Sequence, residues 1–156
     1  MKRRKKTLLS FSTILILFIM GFLLYYNKAF QETIDIADTI EKAGNDYVFH
    51  GDSKVGFIIF SGVKADERAY AYMAKLLHKE GHTVVIPKAP FHLNIAGTRH
   101  GVEIMESNPE IEKWIVIGHS LGGLPAGRIA AKQPDKILGV AFLASYMTTD
   151  LSKLNI

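Results

Sequence analysis

From residue 55 onward the chain alternates continuous apolar runs with amphipathic stretches. Four runs, Val55–Phe60, Thr83–Ile86, Trp114–Ile117 and Leu138–Ala144, show no in/out alternation. A strand that is apolar at every position is buried on both faces, as in a parallel sheet covered by helices. Between the first two runs, Tyr70, Met73, Ala74 and Leu77 recur at i, i+3, i+4 and i+7 within Glu67–Glu80. That spacing predicts a helix with one core-facing stripe, Asp66 as its N-cap and Gly81 as its terminator. A weaker helix is expected between Thr98 and Ser107, and a third from the residues after Ser120 to about Lys132, where Pro134 bars continuation. The fold class is therefore α/β. Upstream, Tyr47–His50 and Val55–Phe60 flank the turn-rich Gly51-Asp52-Ser53 and are expected to pair as a hairpin. The stretch Gln31 to Gly44 carries Ile34, Ile36, Ala37 and Ile40 in a polar background and reads as a short stalk helix stopped by Gly44.

The N-terminus follows a different pattern. Leu8 to Tyr26 are nineteen residues without a charge, twelve of them Leu, Ile or Phe. As a helix they reach about 28 Å, close to the hydrocarbon thickness of a bilayer. Lys2, Arg3, Arg4, Lys5 and Lys6 precede the stretch and only Lys28 follows it closely. That asymmetry puts the N-terminus in the cytoplasm and the following domain outside, with Tyr25 and Tyr26 at the outer interface. A cleaved signal peptide shares this layout, but the apolar run is long for one and no small-x-small cleavage site follows it. The expected organisation is a basic tail at 1–7, a transmembrane anchor in the lipid bilayer at 8–26, a stalk at 27–46 and a globular domain at 47–156. The formal charge is +4; without the five cations of the tail it falls to −1, which removes the case for a nucleic-acid partner. The chain has no cysteine, so disulfides and thiolate metal sites are excluded.

The candidate chemistry lies at Gly118-His119-Ser120-Leu121-Gly122, between a buried strand and a helix. This is the context of a nucleophile elbow, in which a sharp turn exposes a serine hydroxyl and the flanking Gly118 and Gly122 let strand and helix approach. In an open parallel sheet, ligands bind at the carboxyl ends of the strands. Ser61-Gly62-Val63-Lys64 follow the first parallel strand, so the Val63 N–H can turn toward the same edge. The Leu121 N–H opens the elbow helix, where donors are unpaired and the dipole favours negative charge. Two such donors would form an oxyanion hole, and Lys64 would lie on its rim. No metal or organic cofactor is implied, because neither a ligand cluster nor a phosphate-binding glycine loop is present.

These segments resemble the α/β-hydrolase superfamily, and within it the small fold-5 type family. The likeness runs through Val55-Gly56-Phe57-Ile58-Ile59-Phe60-Ser61-Gly62-Val63-Lys64, Ala69-Tyr70-Ala71, Gly81-His82-Thr83-Val84-Val85-Ile86-Pro87-Lys88, Gly118-His119-Ser120-Leu121-Gly122-Gly123 and Pro134-Asp135-Lys136-Ile137. It covers about residues 47–150. Ser61-Gly62-Val63 departs from the proline and paired glycines that the family tends to carry there. The resemblance implies hydrolysis of a small ester or related acyl substrate through Ser120, with a triad in the chain order serine, acid, histidine, the last two on loops after strands that succeed Leu138–Ala144. None of the six histidines, His50, His78, His82, His92, His100 and His119, follows Ser120. The triad is thus expected to be incomplete here and the chain to be the N-terminal portion of a hydrolase. The alternative is a non-catalytic, membrane-tethered binding or interaction module.

Among these histidines, His92 is the best-situated substitute base, because Ala89-Pro90-Phe91-His92 follows a strand on the catalytic edge. His119 is expected to pack beside the site, His82 to lie at the opposite end of the sheet, and His50, His78 and His100 to be solvated. Asp150, in Thr148-Thr149-Asp150-Leu151-Ser152, reads as a local cap rather than a triad acid.

Overall fold

The computed structural model describes residues 13–21, 41–92, 94, 97–146, 148–152 and 154. The basic tail, residues 8–12 and 22–26 of the expected span, and residues 27–40 of the expected stalk lie outside the described residues. Residues 13–21 are helical (α1) and expose their apolar side chains, Ile14 at 62%, Ile16 at 62% and Phe18 at 70%. Among the described residues no helix is long and apolar enough to cross a membrane.

The described strands are β1 (Glu41–Ala43), β2 (Asp46–Phe49), β3 (Val55–Phe60), β4 (Thr83–Ile86), β5 (Lys113–His119) and β6 (Ile137–Leu143). They form one sheet in the order β1-β2-β4-β3-β5-β6. The pairs β3/β4, β3/β5 and β5/β6 are parallel, as the continuous apolar runs predict. Side chains alternate between two cores. Ile58 and Phe60 join Trp114, Val116, Met105 and Ile129 on one face, while Phe57 and Ile59 join Ala71, Ala74, Val84 and Ile86 on the other. Two-sided burial is the reason these strands carry no polar face.

The crossover segments are a 3-10 turn at Glu67–Tyr70 leading into α2 (Ala71–Lys79), then α3 (Gly97–Ser107) and α4 (Gly123–Lys132). Asp66 caps the first of these by accepting a hydrogen bond from the Arg68 N–H at 2.9 Å, and Gly81 leaves α2 at φ 87, a left-handed position that suits glycine. The first crossover is therefore not one continuous helix over Glu67–Glu80, because its opening turn is wound more tightly than the rest.

Four expectations are corrected. β2 does not pair with β3; it pairs antiparallel with β4, through Tyr47↔Ile86 and Phe49↔Val84. The hairpin is instead β1/β2, with Ala43↔Asp46 closing on Gly44-Asn45. Gly44, read as a helix stop, supplies φ 64 to that two-residue turn, the conformation a hairpin loop needs at its first central position. The end of the expected stalk helix is thus strand β1, and the sheet begins at Glu41. Asp46, 7% exposed, fastens the hairpin to the domain by accepting from the Lys88 N–H at 3.0 Å and from His100 Nε2 at 2.7 Å. His100 is accordingly bonded rather than merely solvated. His78 is packed as well, its ring 5.8 Å from that of Phe49.

β6 departs from the two-sided burial expected of it: Leu138 is 47% and Leu143 37% exposed. It has β5 as its strand neighbour, and α4 packs on it while α2 packs on β2 and β4 across the sheet.

Candidate active site

At the end of β5 the backbone turns sharply. His119 is extended at φ −94 and ψ 131, and Ser120 takes φ 52, a left-handed conformation in which a side chain crowds its own backbone. Residues Ser120–Gly122 form a 3-10 turn that runs directly into α4. The strain has the effect the motif spacing predicts, because Ser120 is exposed between a buried Gly118 and a buried Gly122.

The glycines explain how the turn can be so close. A Cβ on Gly118 would lie 2.5 Å from the Gly122 carbonyl oxygen, and one on Gly122 would run into the carbonyl oxygens of Phe60 and Ser61. The elbow is therefore wedged against the end of β3. Gly62 completes the contact, since a Cβ there would sit 2.8 Å from His119 Nδ1 and 3.3 Å from Ser120 Cβ. Long-range packing thus brings Ser120 beside the Ser61–Lys64 loop.

Hydrogen bonds hold that loop from several sides. Asn94 Nδ2 donates to Ser61 Oγ at 2.7 Å, both residues being buried. The Gly62 N–H donates to the Tyr70 hydroxyl at 3.0 Å, and the same hydroxyl lies 2.7 Å from His119 Nδ1. The Lys64 N–H donates to the His92 carbonyl at 3.3 Å, with Lys64 itself at φ 59. Burial pushes the Tyr70 hydroxyl above the ordinary phenol range and the charge of Glu67 adds to this, against the Gly62 hydrogen bond, so Tyr70 stays a neutral donor. Behind the elbow, Ser145 Oγ donates to the Ser120 carbonyl at 2.6 Å, and the missing side chain of Gly123 makes room for it.

The remaining candidates separate. Neither the Val63 N–H nor Ser120 Oγ has a hydrogen-bond partner among the described residues, and the Leu121 N–H lies in the first turn of the elbow helix, where donors lack intrahelical acceptors. His92 is held at Nδ1 by Glu67, 3.2 Å from Oε1 and 3.1 Å from Oε2. Glu67 is 1% exposed and also accepts from the Ala89 N–H at 3.3 Å. A carboxylate only accepts, so Nδ1 carries the proton in this contact. No hydrogen bond joins His92 to Ser120 among the described residues. His119 flanks the site, and His82 bonds the Val55 carbonyl at 2.9 Å, at the opposite end of β3. Asp150 caps locally, accepting from the Ser152 N–H at 2.9 Å.

Sequence reasoning missed Tyr70, Glu67, Asn94 and Ser145. Tyr70 reads as one more apolar position of a helical stripe, and nothing in a periodicity announces where its hydroxyl goes.

Comparison with known proteins gives the following likenesses. A stretch of this chain is 48% identical over 46 residues to the salicylic acid-binding protein 2 of Nicotiana tabacum, covering 30% of this chain and 18% of that one. Among solved structures, an alpha/beta hydrolase enzyme from a sediment metagenome of the Mar Chica lagoon, Morocco, superposes with a TM-score of 0.56 at 18% identity, over 69% of this chain and 52% of that one. A structure described among the carboxylesterases of the thaumarchaeon Nitrososphaera gargenis superposes with a TM-score of 0.55 at 18% identity, over 69% of this chain and 45% of that one. At that identity the likeness is one of fold, and the chain spans about half the length of these structures. The sequence model of the alpha/beta hydrolase family matches residues 56–156, from the second residue of β3 through the elbow and past β6, and the chain belongs to that family.

Proposed function

We propose that Ser120 is the nucleophile of an acyl hydrolase acting on a small ester or related acyl substrate, with the backbone N–H groups of Val63 and Leu121 as its oxyanion donors. The observation that carries this reading is the strained, exposed Ser120, at φ 52, wedged against the Gly62 loop. Strain of this kind persists only where surrounding structure holds it, and it collects at reactive sites. In the reaction, Ser120 Oγ adds to the acyl carbon and loses its proton to a base. The carbonyl oxygen becomes an oxyanion between the two N–H donors, the alcohol leaves with a proton, and water then releases the acid. Each donor contributes roughly 3–4 kcal/mol to the transition state in sites of this type.

The base is the open position. No histidine follows Ser120, and His92, although oriented by Glu67 as a general base would be, is not bonded to Ser120. We further propose that residues 8–26 hold the domain on a lipid bilayer with the domain outside the cell.

Phenylboronic acid tests the nucleophile, because boron forms a tetrahedral adduct on a serine oxygen and uses the same donors. The full chain is expected to form the adduct by boron NMR and Ser120→Ala is expected to lose it; no adduct with the full chain would favour a non-catalytic binding module. A fluorophosphonate probe, which reacts at a base-activated serine, is expected to label the full chain no more than Ser120→Ala. Labelling above that background, abolished in His92→Ala, would assign the base to His92.

A further inference from the structure

The Tyr70 hydroxyl has two neighbours and a single proton to give. Its oxygen accepts from the Gly62 N–H at 3.0 Å, and His119 Nδ1 lies 2.7 Å away. Tyr70 is 9% exposed, and Nδ1 is the acceptor within reach of its proton. Were Nδ1 protonated, two protons would meet across this contact or the hydroxyl would be left without an acceptor, at a cost of about 1–3 kcal/mol. For the Tyr70 hydroxyl to donate across this contact, His119 Nδ1 must carry no proton, which is the tautomer with its hydrogen on Nε2.

We propose that Tyr70 and His119 form a hydrogen-bond relay that sets the oxyanion loop: it holds the Gly62 N–H on Tyr70, away from Ser120, and leaves the Val63 N–H as the donor that the loop presents. The role assigned to Val63 rests on the hydrolase reading above; the relay itself does not. With the Gly62 N–H held on the Tyr70 hydroxyl, the next N–H of the loop, that of Val63, is the one left to face an oxygen at Ser120. The loop has little slack for any other arrangement, because Gly62 is packed so closely on His119 Nδ1 and Ser120 Cβ that even a methyl group would collide. Other ties hold the loop as well: Asn94 Nδ2 donates to Ser61 Oγ at 2.7 Å and reaches the Ser61 carbonyl at 3.5 Å, the Ala65 N–H donates to the Gly62 carbonyl at 3.3 Å, and the Lys64 N–H donates to the His92 carbonyl. Of these, only the 3.5 Å contact touches the peptide that carries the Gly62 N–H. His119 also precedes the nucleophile directly, so the relay joins elbow and loop into one unit. Tyr70 and His119 are positioning residues that act through Gly62 and Val63.

NMR of the full chain in detergent tests this without requiring turnover. In the unmodified chain, His119 is expected in the Nε2–H tautomer, and the Gly62 amide is expected to exchange with solvent more slowly than that of Val63. Tyr70→Phe, which keeps the ring, should speed Gly62 exchange about tenfold and release the His119 tautomer, while His82 keeps its signals. His119→Asn offers an amide oxygen near the position of Nδ1 and should retain Gly62 protection; His119→Leu should lose it. A Gly62 amide that exchanges as fast as Val63, a proton on His119 Nδ1, or equal loss in the Asn and Leu variants would overturn the relay, the last by reducing His119 to packing. Affinity for phenylboronic acid should also fall about tenfold in Tyr70→Phe. If the unmodified chain forms no boronate while Gly62 and His119 behave as expected, the hydrolase reading fails and the relay stands as a lock on the loop.

Discussion

Ser120 takes φ 52, where an L-residue loses roughly 1–2 kcal/mol to crowding of its Cβ. Glycine removes that crowding but loses more freedom on folding, about 0.5–1 kcal/mol. Ser120→Gly is therefore expected to be about 0.5–1 kcal/mol more stable than the unmodified chain in urea denaturation, while forming no boronate adduct; a loss of stability would show that the turn stores no strain. This strain was legible in the sequence, since a serine between close-packed glycines at a strand end has few other conformations available. The partners of Tyr70 were not. A tyrosine on a helical stripe is ordinary core by its spacing, and its hydroxyl gains a role only because His119, forty-nine positions away, arrives at the same point.

At the scale of elements, local rules held where the interaction was local. Asp66 caps the turn that opens the first crossover, and its carboxylate also takes Arg68 Nε at 2.9 Å. Burial raises the Asp66 carboxyl, but the hydrogen bonds and charge of Arg68 outweigh it and bring it below the usual carboxylate value. A carboxyl lowered on folding adds stability that is present above its unfolded value, about 3.9, and is lost as pH falls through the lower folded value. Arg68→Met keeps the backbone cap and removes the ion pair. The variant should be less stable at pH 7 by no more than about 1 kcal/mol, since Arg68 is 42% exposed and such pairs are screened. That difference should vanish toward pH 2 in denaturation series; a difference independent of pH would mean the ion pair contributes nothing. Where elements had to choose partners, local reading failed. The hairpin expected between β2 and β3 forms between β1 and β2, because three residues of Glu41–Ala43 complete a tight turn at Gly44 and β2 finds a buried place on β4.

The whole molecule joins a family domain to an N-terminal segment of a different composition. The described sheet begins at Glu41, and the apolar side chains of α1 are exposed. Such side chains are costly in water and favourable in lipid. The full chain should remain with membranes through an alkaline carbonate wash, whereas a chain lacking residues 1–26 should move to the soluble fraction and keep the buried environment of Trp114, 0% exposed, by its fluorescence. Release of the full chain by the wash would overturn the anchor. The globular part is organised around one sheet edge, where the loops after β3, β4, β5 and β6 converge. Convergence of strand ends is a property of parallel topology, and it is why four short segments far apart in the chain can build one site.

By itself the sequence determined the parallel α/β class, the sharp turn at Ser120, the cap at Asp66 and the loop that lies beside Ser120. Each of these follows from periodicity, from backbone sterics or from a residue acting on near neighbours. Tertiary structure alone decided the placing of β2 against β4, the burial of Glu67 against His92, and the meeting of Gly62, Tyr70 and His119. Those depend on which distant surfaces pack, and hydrogen-bond partners brought together by packing leave no spacing in the chain by which to find them.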